Sequence, residues 1–256
     1  MVPEHTPEQA QVIEVDIETP DGHLRGKMGL PIGRMRLSEL AFNAMPVVEQ
    51  LVAQAVGREK RDGRAISCRA GCGACCRQLV PVSPPEAWMV ADLLASAKEP
   101  RRSLWHQRFA TVRQRLADEN LMTDLLTPPA DDASARRLGL RYFLLQLACP
   151  FLDPSESCSI HPVRPAACRE FLVTSPAEHC AQPADGLVRR VTVHVRLTEA
   201  LARLTAELLG GEPKLIPLSL APAWAVENEA AGQMQWEGAA MMRRLLELMS
   251  GAAIRA

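Results

Sequence analysis

The chain begins with apolar residues at every second position. Ile13, Val15 and Ile17 alternate with polar neighbours, Pro20-Asp21-Gly22 supplies a turn, and Leu24, Met28 and Leu30 keep the same parity. This predicts a β-hairpin over residues 12–30. The period then changes: Leu37, Leu40, Ala44, Val48, Leu51 and Val52 form one stripe, predicting a helix over 37–60 that Pro46 should kink or delay. A loop at Arg61-Asp62-Gly63-Arg64 follows. Ser83-Pro84-Pro85-Glu86 has the marks of a helix start, with a capping serine, proline in the first turn and a glutamate three residues on. That helix should reach about Ala97. A second should begin near Pro100, with Trp105, Phe109, Val112 and Leu116 on one face. Residues 127–134 read as a surface linker, with Asp131-Asp132 as a charge pair in it, and 137–147 as a further helix. Val191, Val193, Val195 and Leu197 alternate as in a strand. Two helices, near 198–209 and 234–250, are joined by an extended connector over 210–222.

These elements imply a mainly α protein with small β elements, an α+β fold in which helices wrap an irregular centre. The natural divisions are a hairpin and helix over 1–60, a cysteine-bearing segment over 61–185, and a strand and helices over 186–256 that pack on it as one compact unit. At 256 residues the chain can bury a core without needing metal to compensate for small size. The balance of 29 Lys+Arg against 30 Asp+Glu gives no field directed at nucleic acid or an anionic membrane. With one Tyr and five Phe it also lacks stacking platforms for single strands. No apolar run approaches the ~20 residues of a membrane span. Met1-Val-Pro-Glu-His-Thr-Pro-Glu has no apolar core of a signal peptide. The expectation is a cytoplasmic protein, where clustered cysteines signify metal or redox chemistry rather than disulfides.

Cysteine supplies that chemistry. Cys68, Cys72, Cys75 and Cys76 fall within nine residues, and Cys149, Cys158, Cys168 and Cys180 follow singly. Gly71 and Gly73 flank Cys72 and let the loop take positive φ, so its sulfurs can curl inward toward donating backbone N–H groups. Adjacent Cys75 and Cys76 should diverge, one serving a given metal and the other a second site or the packing. Residues 149–161 read as a short hairpin turning at Asp153-Pro154-Ser155, and Pro165 opens a helical turn before Cys168. Arg69, Arg77, Arg164 and Arg169 lie near cysteines and can offset thiolate charge. Cys72 and Cys75, in the glycine-supported loop, should matter most for metal, and Cys180 less if it is peripheral. Cys68-x3-Cys72-x2-Cys75 also has the spacing of radical enzymes that cleave S-adenosylmethionine, but no alternating strand–helix pattern follows it.

The ordered pattern Cys68-Arg-Ala-Gly-Cys72-Gly-Ala-Cys75-Cys76, Cys149-Pro-Phe-Leu, Cys158-Ser-Ile, Arg164-Pro165-x-x-Cys168-Arg169 and Ala177-Glu178-His179-Cys180 resembles the YkgJ-type cysteine-cluster family of bacterial proteins. The resemblance spans about residues 60–185 and implies a zinc- or iron-chelating domain. By position it makes Cys68, Cys72, Cys75, Cys76, Cys149, Cys158, Cys168 and Cys180 the candidate metal ligands. His161 stands where relatives often carry an aromatic, and is expected to be a turn residue. A related domain in flagellin lysine methylases implies a methyltransferase-like alternative, although no glycine-rich nucleotide loop follows a strand here.

Zinc and iron–sulfur clusters both accept four thiolates. One dense loop joined by distant single cysteines suits an iron–sulfur cluster of the 4Fe-4S type better than paired zinc knuckles. A redox role would require an electron donor or other protein partner. The alternative is a zinc-stabilised interaction module, with the Met-bearing helix (Met234, Met241, Met242, Met249) as core packing or a partner surface.

Overall fold

The alternating run near the start of the chain folds as its period predicts. The computed structural model describes residues 10–182 and 186–253, so the octapeptide read for a signal segment lies outside the described residues. Strand β1 (Ala10–Thr19) pairs antiparallel with β2 (Gly22–Pro31), and Gly22 closes the turn at φ +108°, a value that favours glycine. Ile13, Val15, Ile17 and Leu30 point into the core. A short β3 (Arg34–Arg36) leads into α1 (Leu37–Arg61), which buries Leu37, Leu40, Ala44, Val48 and Leu51. Pro46 does not delay this helix, which runs continuously through it. Pro46 and Phe42 are both exposed, so the carbonyl that loses its donor can be hydrated.

After β4 (Pro81–Val82), α2 (Pro84–Ser96) starts with the predicted capping box between Ser83 and Glu86. Helix α3 (Arg101–Asp118) buries Trp105, Phe109, Val112 and Leu116. A short α4 (Met122–Leu126) then precedes α5 (Asp132–Leu144), which begins five residues before the expected 137. The cause is Asp131, whose carboxylate accepts the Ser134 N–H at 2.7 Å and caps the helix, so it is not a mere linker charge.

Beyond the cysteine segment come α6 (Ala166–Glu170), α7 (Leu197–Leu209), β5 (Ile216–Pro217), α8 (Ala221–Glu227), α9 (Glu229–Gly232), β6 (Gln235–Glu237) and α10 (Gly238–Ala253). Three readings need correction. Val191, Val193 and Val195 are buried but form no strand: they find the main core without a ladder partner, and Leu197 already belongs to α7. The 210–222 connector contains β5, paired with β4, and the start of α8. The last helix begins at 238 rather than 234, because Gln235–Glu237 pairs with β3 and the Glu237 carboxylate accepts the Ala239 and Ala240 N–H groups. Met241, Met242 and Met249 are core residues, whereas Met234 lies outside the helix and is exposed.

Among the described residues the fold is therefore mainly helical with three two-stranded antiparallel sheets. One core gathers β1, α1, α7 and α10, and a second lies under α2, α3 and Phe151. Helix α2 separates them. Trp88 and Met89 face the first, and Ala87, Val90 and Leu94 the second, which explains why it is apolar all round. No described helix is long and apolar enough to cross a membrane.

The join between this scaffold and the cysteine segment is Glu86, which is wholly buried. Besides the Ser83 N–H at 2.9 Å, its carboxylate accepts the Ala166 N–H at 2.9 Å and the Thr198 hydroxyl at 3.3 Å. Burial pushes its pKa up, against the hydrogen bonds that pull it down. A carboxyl whose folded pKa lies above its unfolded value contributes stability below the unfolded value, and loses it as pH rises through the folded value. Glu86→Gln should therefore remove a decline in stability as pH rises above the ordinary carboxylate range. Glu86→Ala should cost roughly 1–3 kcal/mol or more by stranding the Ala166 N–H. Urea melts of both variants across pH check this; identical pH slopes for wild type and Glu86→Gln would count against it.

Candidate metal centre

The first cysteine loop is held by its backbone. The Ser67 N–H donates to the Val173 carbonyl at 2.9 Å, Cys72 to Arg69 at 3.2 Å and Cys76 to Gly73 at 3.0 Å. Residues Ala74–Arg77 close as one 3-10 turn carrying Cys75 and Cys76. Gly71 takes the expected positive φ of +78°, but Gly73 does not. Gly73 is needed for a different reason: a Cβ there would lie 3.0 Å from Leu152 Cδ1 and inside the Glu156 carboxylate. Arg77 completes this contact. Its guanidinium forks the Glu156 carboxylate at 2.8 Å and 2.8 Å and donates to the Gly73 carbonyl at 3.0 Å.

The second block is thereby docked on the first. The Cys149 N–H donates to the Cys76 carbonyl at 2.7 Å, so two cysteines far apart in the chain meet. Residues 149–158 turn at Asp153–Ser157 as predicted, but the hairpin reduces to a single bridge, Leu152 to Cys158. Its anchor is Phe151, fully buried and edge-on to Trp105 and Phe109 at 5.1 Å and 5.2 Å. Arg108 of α3 donates to the carbonyls of Pro150 and Leu152, at 3.2 Å and 2.8 Å.

Cys168 sits on α6, which starts after Pro165 as expected. Cys180 sits on a 3-10 turn, Ala177–Ala181, that packs against the turn bearing Cys75. It is 6% exposed.

All eight cysteines are free of disulfides. Burial first, then neighbouring thiolates, pushes most of them up: Cys149 to about 12 and Cys180 to about 11, with Cys68, Cys158 and Cys168 also raised. Opposing this, the backbone at Val173, Phe151 and Ile160 acts downward on Cys68, Cys149 and Cys158. Cys75 alone is pulled down, to about 7, and Cys76 is pushed up, each mainly through the other.

The four arginines expected to offset charge do different work. Arg77 holds Glu156, and Arg169 holds Glu49 and the carbonyls of Pro162 and Arg164, at 2.6 Å and 2.9 Å. The charge of Arg164 lowers Cys68, Cys75, Cys158 and Cys168, and its buried Nε has no hydrogen-bond partner among the described residues. The sequence offered no means of ranking the four. His161 is exposed on a cavity of about 220 Å³ beside Arg164 and Arg169, and the Arg164 charge pushes its pKa down. His179 bonds the Leu187 carbonyl at 3.0 Å.

Residues 67–185 match the family model CxxCxxCC, described as "Putative zinc- or iron-chelating domain". The match covers the stretch that carries all eight cysteines. No curated protein and no solved structure matches the chain. The residues of this segment fit a metal: soft thiol donors free of disulfides, and a half-buried arginine, Arg164, whose buried Nε has no partner among the described residues, are what a negatively charged thiolate centre requires. Among the described residues no three His, Cys, Asp or Glu side chains are drawn closely enough to hold one ion as they stand. Buried neutral thiols have no mutual attraction, and metal binding would supply it.

Gly73→Ala should separate the two cysteine blocks, lower stability by about 1–3 kcal/mol and reduce bound metal. Thermal melts and elemental analysis of that variant check this; a wild-type metal content would show the docking to be dispensable.

Proposed function

We propose that the domain holds an iron–sulfur centre of the 4Fe-4S type through thiolates drawn from Cys68, Cys72, Cys75, Cys76, Cys149, Cys158, Cys168 and Cys180, and that the protein serves in electron transfer. Residues 10–60 and 186–253 are its shell of hairpin and helices, the setting is a reducing compartment such as the cytoplasm, and an electron-donor protein is the implied partner. The observation that carries this reading is the meeting of one dense loop with distant single cysteines: the Cys149 N–H donates to the Cys76 carbonyl, and the 3-10 turn bearing Cys180 packs on the one bearing Cys75. A bound cluster would take up or release single electrons. Hydrogen bonds to sulfur, local charge and burial are the protein's means of setting its potential. The apolar wall of Phe151, Ile160 and Val163 behind Cys149, Cys158 and Cys168 would limit water there.

Structural zinc is the second reading. It is favoured by the cysteine segments having little regular structure of their own, which is where a bound ion adds folding energy.

Anaerobically prepared protein should be brown, with iron and acid-labile sulfide in equal amounts. Colourless protein carrying zinc alone overturns the iron–sulfur reading in favour of the second one. In the iron-loaded protein, Arg164→Ala should shift the reduction potential negative, since removing a nearby positive charge disfavours the added electron, and Arg164→Lys should restore most of the shift. A redox titration in which Arg164→Ala matches wild type removes Arg164 from that role.

A further inference from the structure

Eight thiols exceed what one tetrahedral ion or one cubane takes, and the fold sorts them. We propose that the cysteines form two four-thiolate sites meeting at the Cys75–Cys76 pair: Cys68, Cys72, Cys75 and Cys180 hold one metal centre, and Cys76, Cys149, Cys158 and Cys168 hold the other. This rests on the metal-binding reading above and says how the ligands divide, whichever metal fills them.

Backbone placement makes the division. The Ser67 N–H bonded to the Val173 carbonyl ties the start of the first loop to the segment that leads to Cys180. The 3-10 turn bearing Cys180 packs on the one bearing Cys75, which brings Cys180 to the loop that carries Cys68, Cys72 and Cys75. The other four are placed differently. The Cys76 carbonyl holds Cys149, Cys158 is bridged to Leu152, and Cys149, Cys158 and Cys168 all pack on the apolar cluster of Val82, Phe151 and Ile160. None of the other five packs on that cluster, and Cys76 joins the second set through its carbonyl.

The shared carbonyl contact places Cys76 with Cys149, and the packing of the two 3-10 turns leaves Cys75 to the other set. Four thiolates per site match the coordination of either zinc or a cubane.

The test uses the full chain, reduced and stripped of metal under anaerobic conditions, with zinc(II) as the probe. Two equivalents should bind tightly. At one equivalent, alkylation followed by mass spectrometry should show cysteines protected as a set, Cys68, Cys72, Cys75 and Cys180 rising together or Cys76, Cys149, Cys158 and Cys168 together. The double variants Cys68→Ser/Cys180→Ser and Cys149→Ser/Cys158→Ser should each keep one equivalent, half the wild-type capacity. Wild-type protein that stops at one equivalent, or protection that mixes the sets, overturns the division while leaving metal binding intact. No binding of zinc, in a protein that also emerges from anaerobic purification without iron or sulfide, overturns metal binding itself. The protection pattern needs no variant, so a misfolded double variant leaves the test decisive.

Discussion

One buried carboxylate joins the two halves of this architecture. Glu86 caps α2 from within and accepts the N–H that opens α6 and the hydroxyl in the first turn of α7. Three helix starts thus converge on a group with no access to water. Burying a carboxyl is costly unless each oxygen is satisfied. Here its partners come from segments far apart in the chain, so the cost is offset only when the scaffold and the cysteine segment are both in place. The cysteine-bearing turns have no ladder of their own to hold them, which makes this join the main constraint on their position.

The rest of that position comes from side chains that grip backbone. Arg108 reaches from α3 to two carbonyls of the second block, Arg77 clamps Glu156 over Gly73, and Phe151 fills the space between Trp105 and Phe109. These contacts fix loops that carry soft donors without stiffening the donors themselves. The thiols are neighbours yet not drawn to coordination distance, an arrangement suited to closing around a metal rather than standing open as an empty cage.

Much of the helical scaffold was legible because its signals are local. The hairpin, α1, the start of α2 and the buried face of α3 each follow from a period or a cap within a few residues. What was hidden depends on distant partners. Val191, Val193 and Val195 have a strand's alternation but no neighbouring strand, while Gln235–Glu237, three residues long and too short to signal a strand, pairs with β3. Asp131 looked like a linker charge until the N–H it caps was placed. The cysteines stood out by density. Which belong together could not be read, since Cys75 and Cys180 meet through packed 3-10 turns and Cys76 and Cys149 through one long-range backbone bond. Gly73 was correctly singled out, but for positive φ, when the actual need is room for Glu156.

That same backbone bond has a wider consequence. Cys76 and Cys149 lie side by side, so the stretch between them, which contains α2 to α5, leaves the centre and returns to the same point. Its inner part, α2 and α3, forms the wall on which the second block rests. Its outer part, α4, the exposed 127–131 turn and α5, packs through Leu125 and Tyr142 on Val112 and Leu116 of α3 and on Leu220. Changes of length out there would not alter where the two cysteines meet, and closing a longer loop adds little entropy. The centre is thus insulated from the tip of its largest excursion, and that tip is the place where related chains can vary, or carry an added module, without moving a sulfur.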